Sequence, residues 1–130
     1  MNSIYKEEDT VVPRAKLPKL LKGVKIISKN FGFKSVCYGH AGDGNLHVNI
    51  IKGTLTDDEW NNKITEGIRE IFNLVIELGG TLSGEHGIGL GKLPWMEQQH
   101  GSKVMDAMKS IKRALDPKLI LNPGKLVGEC

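Results

Sequence analysis

Three histidines and one glutamate have the types and the spacing that could do chemistry in this chain. His40 and His47 stand on either side of the glycine-rich sequence Ala-Gly-Asp-Gly-Asn-Leu, while Glu85 and His86 are neighbours in a second glycine-dense segment. Imidazole nitrogens and carboxylate oxygens bind transition-metal ions. An imidazole with an ordinary pKa of about 6.5 also transfers protons near neutral pH. These four residues are therefore candidates for metal binding and acid–base chemistry.

The first pair depends on a predicted hairpin. Asp43-Gly44 is typical of a two-residue type I′ turn, which would place His40 directly opposite His47. Directly opposed residues share a face and have Cβ atoms roughly 4.5–5.5 Å apart, so the two imidazoles could hold one ion. Two structural or exposed histidines are the alternative, and the spacing alone leaves both interpretations open.

The second segment could complete the set. Glu85 would add a carboxylate to two imidazoles, a combination that suits Zn, Mn or Fe and leaves positions open for substrate. His86 would then be free to act as a general base. A glutamate and a histidine that only cap a turn remain the alternative. Arg14 is a candidate anchor for a substrate carboxylate, with an ordinary surface arginine as the other interpretation.

The elements that must position the hairpin follow from hydrophobic spacing. One helical face is predicted for Leu20, Val24, Ile27 and Phe31. Residues 33–38 are mixed β-formers and predict a strand. Residues 45–51 alternate, with Leu46, Val48 and Ile50 on one face and Asn45, His47 and Asn49 on the other. The polar face of this second strand is unusually rich in ligating groups.

The signals for the remaining elements differ in strength. Thr56 and Glu59 form a capping box that begins a long helix, which ends at Gly79. Residues 81–83 predict a short strand, and residues 1–12 predict a linker or a strand entered from elsewhere. A further amphipathic helix carries Val104, Met108, Ile111 and Leu115, and we expect the Met and Ile stripes of the helices to form core.

This order of elements predicts an α+β fold, with helices packed on one face of a small antiparallel sheet. The 130 residues are within the size of one domain, so we expect a single domain over residues 1–130. The 18 lysines and arginines are scattered and the net charge is only +3, which does not favour a nucleic-acid partner. Two cysteines indicate a reduced, cytoplasmic setting, and no apolar run approaches the roughly 20 residues of a transmembrane helix.

Three segments resemble a known family. Residues 39–47 and 80–89 resemble the two signature segments of FAD-linked oxidases, the group that includes glycolate oxidase flavoprotein subunits, D-lactate dehydrogenases and D-2-hydroxyglutarate dehydrogenases. Residues 121–125, Leu-Asn-Pro-Gly-Lys, resemble the C-terminal signature of that family, and residues 12–14 are similar to its approach to this region. The resemblance covers nearly the whole chain.

The resemblance implies a role for each matching position. It implies a ferredoxin-like layer for the fold and a divalent metal held by His40, His47 and Glu85. His86 matches the proposed base and Asn49 a substrate-contacting position. Asn122 lies in a segment expected near the flavin.

The function that the resemblance implies is oxidation of a small 2-hydroxy acid to a 2-oxo acid. Family members bind FAD mainly through a separate domain, for which 130 residues have no room. We expect that domain in the same full-length protein or in a separate chain, and we expect this chain alone to be inactive. Peripheral membrane association through partner subunits is compatible with this interpretation. The alternatives are a non-catalytic or assembly domain derived from the family and a metal-dependent hydrolase.

Overall fold

Three antiparallel strands form the sheet that carries the histidines. In the computed structural model, which describes residues 4–128, they are β1 (Tyr5–Val11), β2 (Lys34–His40) and β3 (Asn45–Ile51), in the spatial order β1-β3-β2. Helix α1 (Leu17–Phe31) connects β1 to β2, and helix α2 (Asp57–Glu77) follows β3. The α+β prediction is confirmed.

The connections give the sheet a ferredoxin-like arrangement. Because β3 lies between β1 and β2, the β1-α1-β2 connection crosses over one strand. Thr81 makes an isolated antiparallel bridge with Val11, so the chain after α2 returns to the free side of β1. The short strand predicted at residues 81–83 is thus reduced to one bridge.

One face of the sheet is covered by the two helices. α1 packs against α2 and β2, and α2 contacts β1. The apolar face predicted for β3 lies in this interface, since Leu46, Val48 and Ile50 are all buried. The helix-facing core is completed by Leu20, Val24, Ile68, Ile71, Phe72 and Val75. The opposite face of the sheet is left for polar side chains.

Local signals set the ends of both helices. Gly32 ends α1 in the left-handed conformation at φ 77°, which glycine adopts without a steric cost. Thr56 caps α2: its hydroxyl accepts the Glu59 N–H at 3.2 Å, and the Thr56 N–H donates to the Glu59 carboxylate at 3.0 Å. The start of α2 is where the sequence predicted it.

The hairpin register differs from the prediction. His40 pairs with Asn45, and His47 pairs with Tyr38, because the connecting loop has four residues instead of two. The register is therefore shifted by two residues. Since side chains alternate with a period of two, an even shift keeps His40 and His47 on the same face, although no longer directly opposite.

β1 replaces the linker that was one of the two predictions for the start of the chain. All of its residues pair with β3, from Tyr5 opposite Ile51 to Val11 opposite Asn45. Its sequence, Tyr-Lys-Glu-Glu-Asp-Thr-Val, lacks an apolar alternation because both of its faces carry polar residues: Glu7 and Asp9 line the site described below, and Lys6, Glu8 and Thr10 pair with the helix-facing residues of β3. The strand belongs to this sheet.

The chain divides into two units, residues 4–86 and 87–128. The second contains a 3-10 turn (Leu93–Trp95), α3 (Met96–His100) and α4 (Ser102–Leu115). Its cluster of buried residues consists of Met96, Met105 and Val127, with Ile88, Leu93 and Met108 packed partly against it. The assignment of residues 1–130 to one domain stays a prediction.

Candidate metal centre

The polar face of the sheet carries the candidate site. Asp9, His47 and Tyr38 are directly paired across β1, β3 and β2, and they form one row on this face. Glu7 and Asn49 are paired in the next row. The Tyr38 ring stacks on the His47 ring with centroids 5.1 Å apart. His47 is therefore enclosed by strands on both sides and is only 4% exposed.

Glu85 meets both predicted imidazoles. Its Oε1 lies 3.0 Å from His47 Nε2 and 3.9 Å from His40 Nε2. One ligating atom from each of the three residues lies within 4.8 Å of the others. The side chains of His40 and Glu85 are more than half exposed, so the cluster opens to solvent on the side away from His47.

The donor set fits a divalent cation. Ligand distances of about 2.0–2.2 Å in a tetrahedral site put neighbouring ligand atoms roughly 3.4 Å apart. The two distances from Glu85 Oε1, 3.0 and 3.9 Å, are near that spacing, and the third pair of atoms lies within 4.8 Å, so the exposed His40 and Glu85 side chains would need to adjust. Two neutral imidazoles and one carboxylate suit Zn, Mn or Fe, and the exposed side leaves coordination positions for a substrate.

A second grouping of ligating atoms shares His47. Glu7, His47 and His86 also have ligating atoms within 4.8 Å of one another. Glu7 Oε1 is 3.3 Å from His47 Nδ1 but off the line of a hydrogen bond, and among the described residues Nδ1 has no hydrogen-bond partner. The same Glu7 oxygen accepts the Tyr38 hydroxyl at 2.9 Å, and this hydrogen bond raises the pKa of Tyr38. Glu7 is thus already engaged by the tyrosine.

His86 lies beside the cluster. Its ring centroid is 5.0 Å from that of His47, and the side chain is exposed. The segment 83–86 forms neither helix nor strand, so its position depends on individual contacts. Those contacts are made by Asp9: its Oδ2 accepts the N–H groups of Gly84, Glu85 and His86 at 2.8, 2.8 and 2.9 Å.

Sequence reasoning missed Asp9. In the sequence it follows Glu7 and Glu8 and is typical of a solvated acidic run near the start of the chain. Only the pairing of β1 with β3 turns it toward His47, and it is 1% exposed there. Glu7 was missed for the same reason, because it reaches the site through a strand pairing. Tyr38 was also missed, although it lies two residues before His40 and strand alternation places both on one face.

The other predicted residues have mixed positions. Asn49 lies on the same sheet face as His47, one row away, and its Oδ1 is buried without a hydrogen-bond partner among the described residues. Arg14 is exposed and lines a shallow pocket with Asp43, and no residue of the His-Glu cluster lines that pocket. Asn122 belongs to the second unit, and its role near a flavin stays a prediction.

The comparison with protein families matches residues 2–126 to the family described as FAD linked oxidases, C-terminal domain. The chain is similar to the glycolate oxidase subunit GlcD of Bacillus subtilis, with 41% identity over 119 residues, or 92% of this chain and 25% of that protein. It is 36% identical to a D-lactate dehydrogenase of Anaerostipes hadrus over 120 residues, 92% of this chain and 25% of that protein. It is also 36% identical to a D-2-hydroxyglutarate dehydrogenase of Stutzerimonas stutzeri over 123 residues, 92% of this chain and 26% of that protein.

The chain spans about a quarter of the length of the curated relatives it matches. Within residues 4–128, none of the helices has the length and apolar character needed to cross a membrane.

Proposed function

Because the chain belongs to the family of C-terminal domains of FAD linked oxidases, we propose that it supplies the substrate side of a flavin-dependent 2-hydroxy-acid dehydrogenase. The reaction is oxidation of a small 2-hydroxy acid, of the glycolate or D-lactate type, to the 2-oxo acid. One observation carries the proposal: Glu85, from a segment after α2, meets His47 and His40 of the β2-β3 hairpin.

In this proposal His40, His47 and Glu85 hold a divalent cation. When bound, the cation would supply a Lewis acid for the substrate's carboxylate and α-hydroxyl, and FAD would supply the acceptor for the α-hydrogen together with the two electrons of the oxidation. The buried His47 fixes one side of the site, while the exposed His40 and Glu85 leave the other side open to a small acid.

His86 is the general base. Its imidazole accepts the proton of the substrate's α-hydroxyl, and its place beside His47 puts it near a substrate held at the cluster. Asn49 orients the substrate from the same sheet face with its side-chain amide. A polypeptide outside these 130 residues binds most of the FAD, either elsewhere in the same protein or as a separate chain.

The cation site is tested by titrating the chain, stripped with a chelator, with Mn²⁺ and Zn²⁺ in a calorimeter. We expect His47→Ala and Glu85→Gln to weaken binding by more than the roughly 10–100-fold that loss of a partner outside the ligand set costs. His100→Ala is the matched control, since His100 lies in the second unit, and it should bind like the unaltered chain. Equal affinity in all four chains would refute the ligand set.

Glu7→Gln decides between the two groupings of ligating atoms. Loss of affinity comparable to that of Glu85→Gln would move the cation to the Glu7 side of His47. A chain that binds no divalent cation would indicate the non-catalytic alternative. Ester hydrolysis without added flavin would indicate the hydrolase.

The base is tested in a full-length relative that carries the Gly-Glu-His-Gly motif of residues 84–87. Replacing the motif's histidine by alanine should lower kcat by about 10²–10⁴-fold with cation affinity retained. An unchanged kcat would refute the assignment of His86.

A further inference from the structure

We propose that Asp9 is the positioning residue of this centre, which holds Glu85 and His86 in place by binding the backbone that carries them. The inference rests on the proposed function for the meaning of the centre, but it concerns a residue outside the ligand set. Asp9 lies in β1, on the polar face of the sheet, and is 1% exposed.

Four donors converge on one oxygen of this carboxylate. Oδ2 accepts the N–H groups of Gly84, Glu85 and His86, and it accepts the Ser83 hydroxyl at 3.2 Å. Three successive N–H groups that point at one anion define the backbone conformation between them, as in anion-binding nests. Hydrogen bonds to an ionised acceptor are also about twice as strong as neutral ones. The direction in which Glu85 and His86 leave the backbone is therefore set by Asp9.

The segment needs such an anchor. It has no helical or strand hydrogen bonds of its own, and Gly87 follows it at φ 78°. At its start Gly84 packs so closely that a Cβ there would lie 2.8 Å from Val11 Cγ2 and 2.9 Å from Asp9 Oδ1. Glycine thus permits the close approach, and the carboxylate supplies the attraction.

Asp9 also faces the other half of the centre. It is paired directly with His47, and its Oδ1 lies 4.0 Å from His47 Nδ1. One buried carboxylate consequently contacts the strand that carries a proposed ligand and the segment that carries another ligand and the base. The two parts are far apart in sequence, so the chain itself does not hold them together. Asp9 contacts both, and it therefore determines whether Glu85 reaches His47.

The test is a double-mutant cycle with Co²⁺, whose visible absorption reports its ligands. In the 130-residue chain, Asp9→Asn should lower Co²⁺ affinity by about 10–100-fold, as loss of a partner behind the ligands does. It should also alter the Co²⁺ spectrum in the same way as Glu85→Gln. If Asp9 acts through Glu85, the Asp9→Asn/Glu85→Gln chain should bind Co²⁺ about as well as Glu85→Gln alone.

A purely structural role predicts a different result. The two losses would then be additive, and the spectrum of Co²⁺ bound to Asp9→Asn would match that of the unaltered chain; either result overturns the inference. Glu8→Gln is the matched control, since Glu8 is the neighbouring buried acid on the helix-facing side of β1. It should leave Co²⁺ affinity and spectrum unchanged, and the same losses as in Asp9→Asn would also overturn the inference.

A second variant keeps the inference testable if Asp9→Asn does not fold. Ser83→Ala removes one of the four donors and leaves the carboxylate in place, so a smaller loss of Co²⁺ affinity is expected, again without a further loss in the Glu85→Gln background. Unchanged affinity would overturn the inference. If the unaltered chain binds no Co²⁺, or if Glu85→Gln binds as tightly, the metal centre itself is refuted. If Glu85→Gln weakens binding and Asp9→Asn does not, only the role of Asp9 fails.

Discussion

Two irregular segments of this chain are each held by a buried carboxylate, one in each unit. Asp9 binds the segment at residues 83–86, and Asp116 binds the segment after α4 by accepting the N–H groups of Ile120 and Leu121 at 3.2 and 3.0 Å. Asp116 also accepts a hydrogen bond from the Lys112 ammonium, and this hydrogen bond lowers the pKa of the Asp116 carboxyl. A buried carboxylate that accepts backbone N–H groups therefore holds an irregular segment in each unit. The units differ in the apolar core that supports this carboxylate.

The units differ in how much apolar surface they bury. Behind the first segment, the sheet packs on two helices through a large set of fully buried side chains. In the second unit, α4 turns most of its predicted core stripe to solvent, with Ile111 60% and Leu115 81% exposed. The expectation that this stripe is core was wrong for Ile111 and Leu115 and also for Val104, which is 46% exposed. The comparison indicates that the first unit is better able to hold its segment rigidly, as a preorganised site requires.

The largest difference between the two units is expected in the free energy of unfolding when an apolar side chain of each is truncated. Phe72→Ala removes a fully buried ring and should cost about 3–5 kcal/mol of the free energy of unfolding. Leu115→Ala removes an exposed side chain and should stay within about 0.5 kcal/mol. Urea unfolding measures both, with the fluorescence of Trp60 reporting the first unit and that of Trp95 the second, each in a chain whose other tryptophan is phenylalanine. A Leu115→Ala loss as large as that of Phe72→Ala would refute the contrast.

A methyl group added at two glycines tests the packing of the segments. Gly84→Ala should cost about 1–3 kcal/mol, because the new Cβ would overlap Val11 and Asp9. Gly91→Ala in the second unit is the control, since no atom lies within 4 Å of its added Cβ. Thermal unfolding should show a lowered Tm for Gly84→Ala alone. Equal Tm values would mean that the segment yields easily, against the proposed rigidity.

The two units also differ in how the first turn of their long helix is capped. Thr56→Ala removes the capping box of α2 and should cost about 1 kcal/mol. α4 begins after Gly101 without a side-chain cap among the described residues, so Ser102→Ala should have almost no effect on the free energy of unfolding. Urea unfolding followed by circular dichroism measures both. A clear loss in Ser102→Ala would reveal a cap that the structure lacks.

The smallest expected effect is the pH dependence of the second segment. Because the pKa of Asp116 is lower in the folded chain than its ordinary value of 3.8, its contribution is fully present above that value. The contribution is lost as the pH falls through the folded pKa. Asp116→Asn should therefore be less stable than the unaltered chain at pH 7, and the difference should shrink below the ordinary carboxyl pKa. Urea unfolding from pH 7 to pH 3 measures this.

The control for the pH dependence is Asp106→Asn, which alters an exposed carboxylate on α4, the helix that ends just before Asp116. It should give a stability difference that is small at every pH. A difference for Asp116→Asn that stays constant down to pH 3 would contradict the assigned cause, since an uncharged hydrogen bond would then account for the contact.

Several of the local elements, and the family, could be predicted from the sequence alone. The spacing of apolar residues placed α1 and α2, the alternation from Asn45 to Ile51 placed β3, and the Thr56 capping box fixed a helix start. These signals are available locally because each depends on residues within one or two turns of a helix or along one strand. The two glycine-rich motifs, read together, identified the family.

Which polar groups meet could be seen only in the folded chain. The hairpin register followed from a loop of four residues, and β1 was recognisable only through its pairing with β3. Asp9 has no local signal at all, since its burial and its hydrogen bonds to residues 83–86 require two segments far apart in the sequence. Likewise, the spacing of apolar residues in α4 predicted a helix but not its burial, because burial depends on whether another surface covers the stripe.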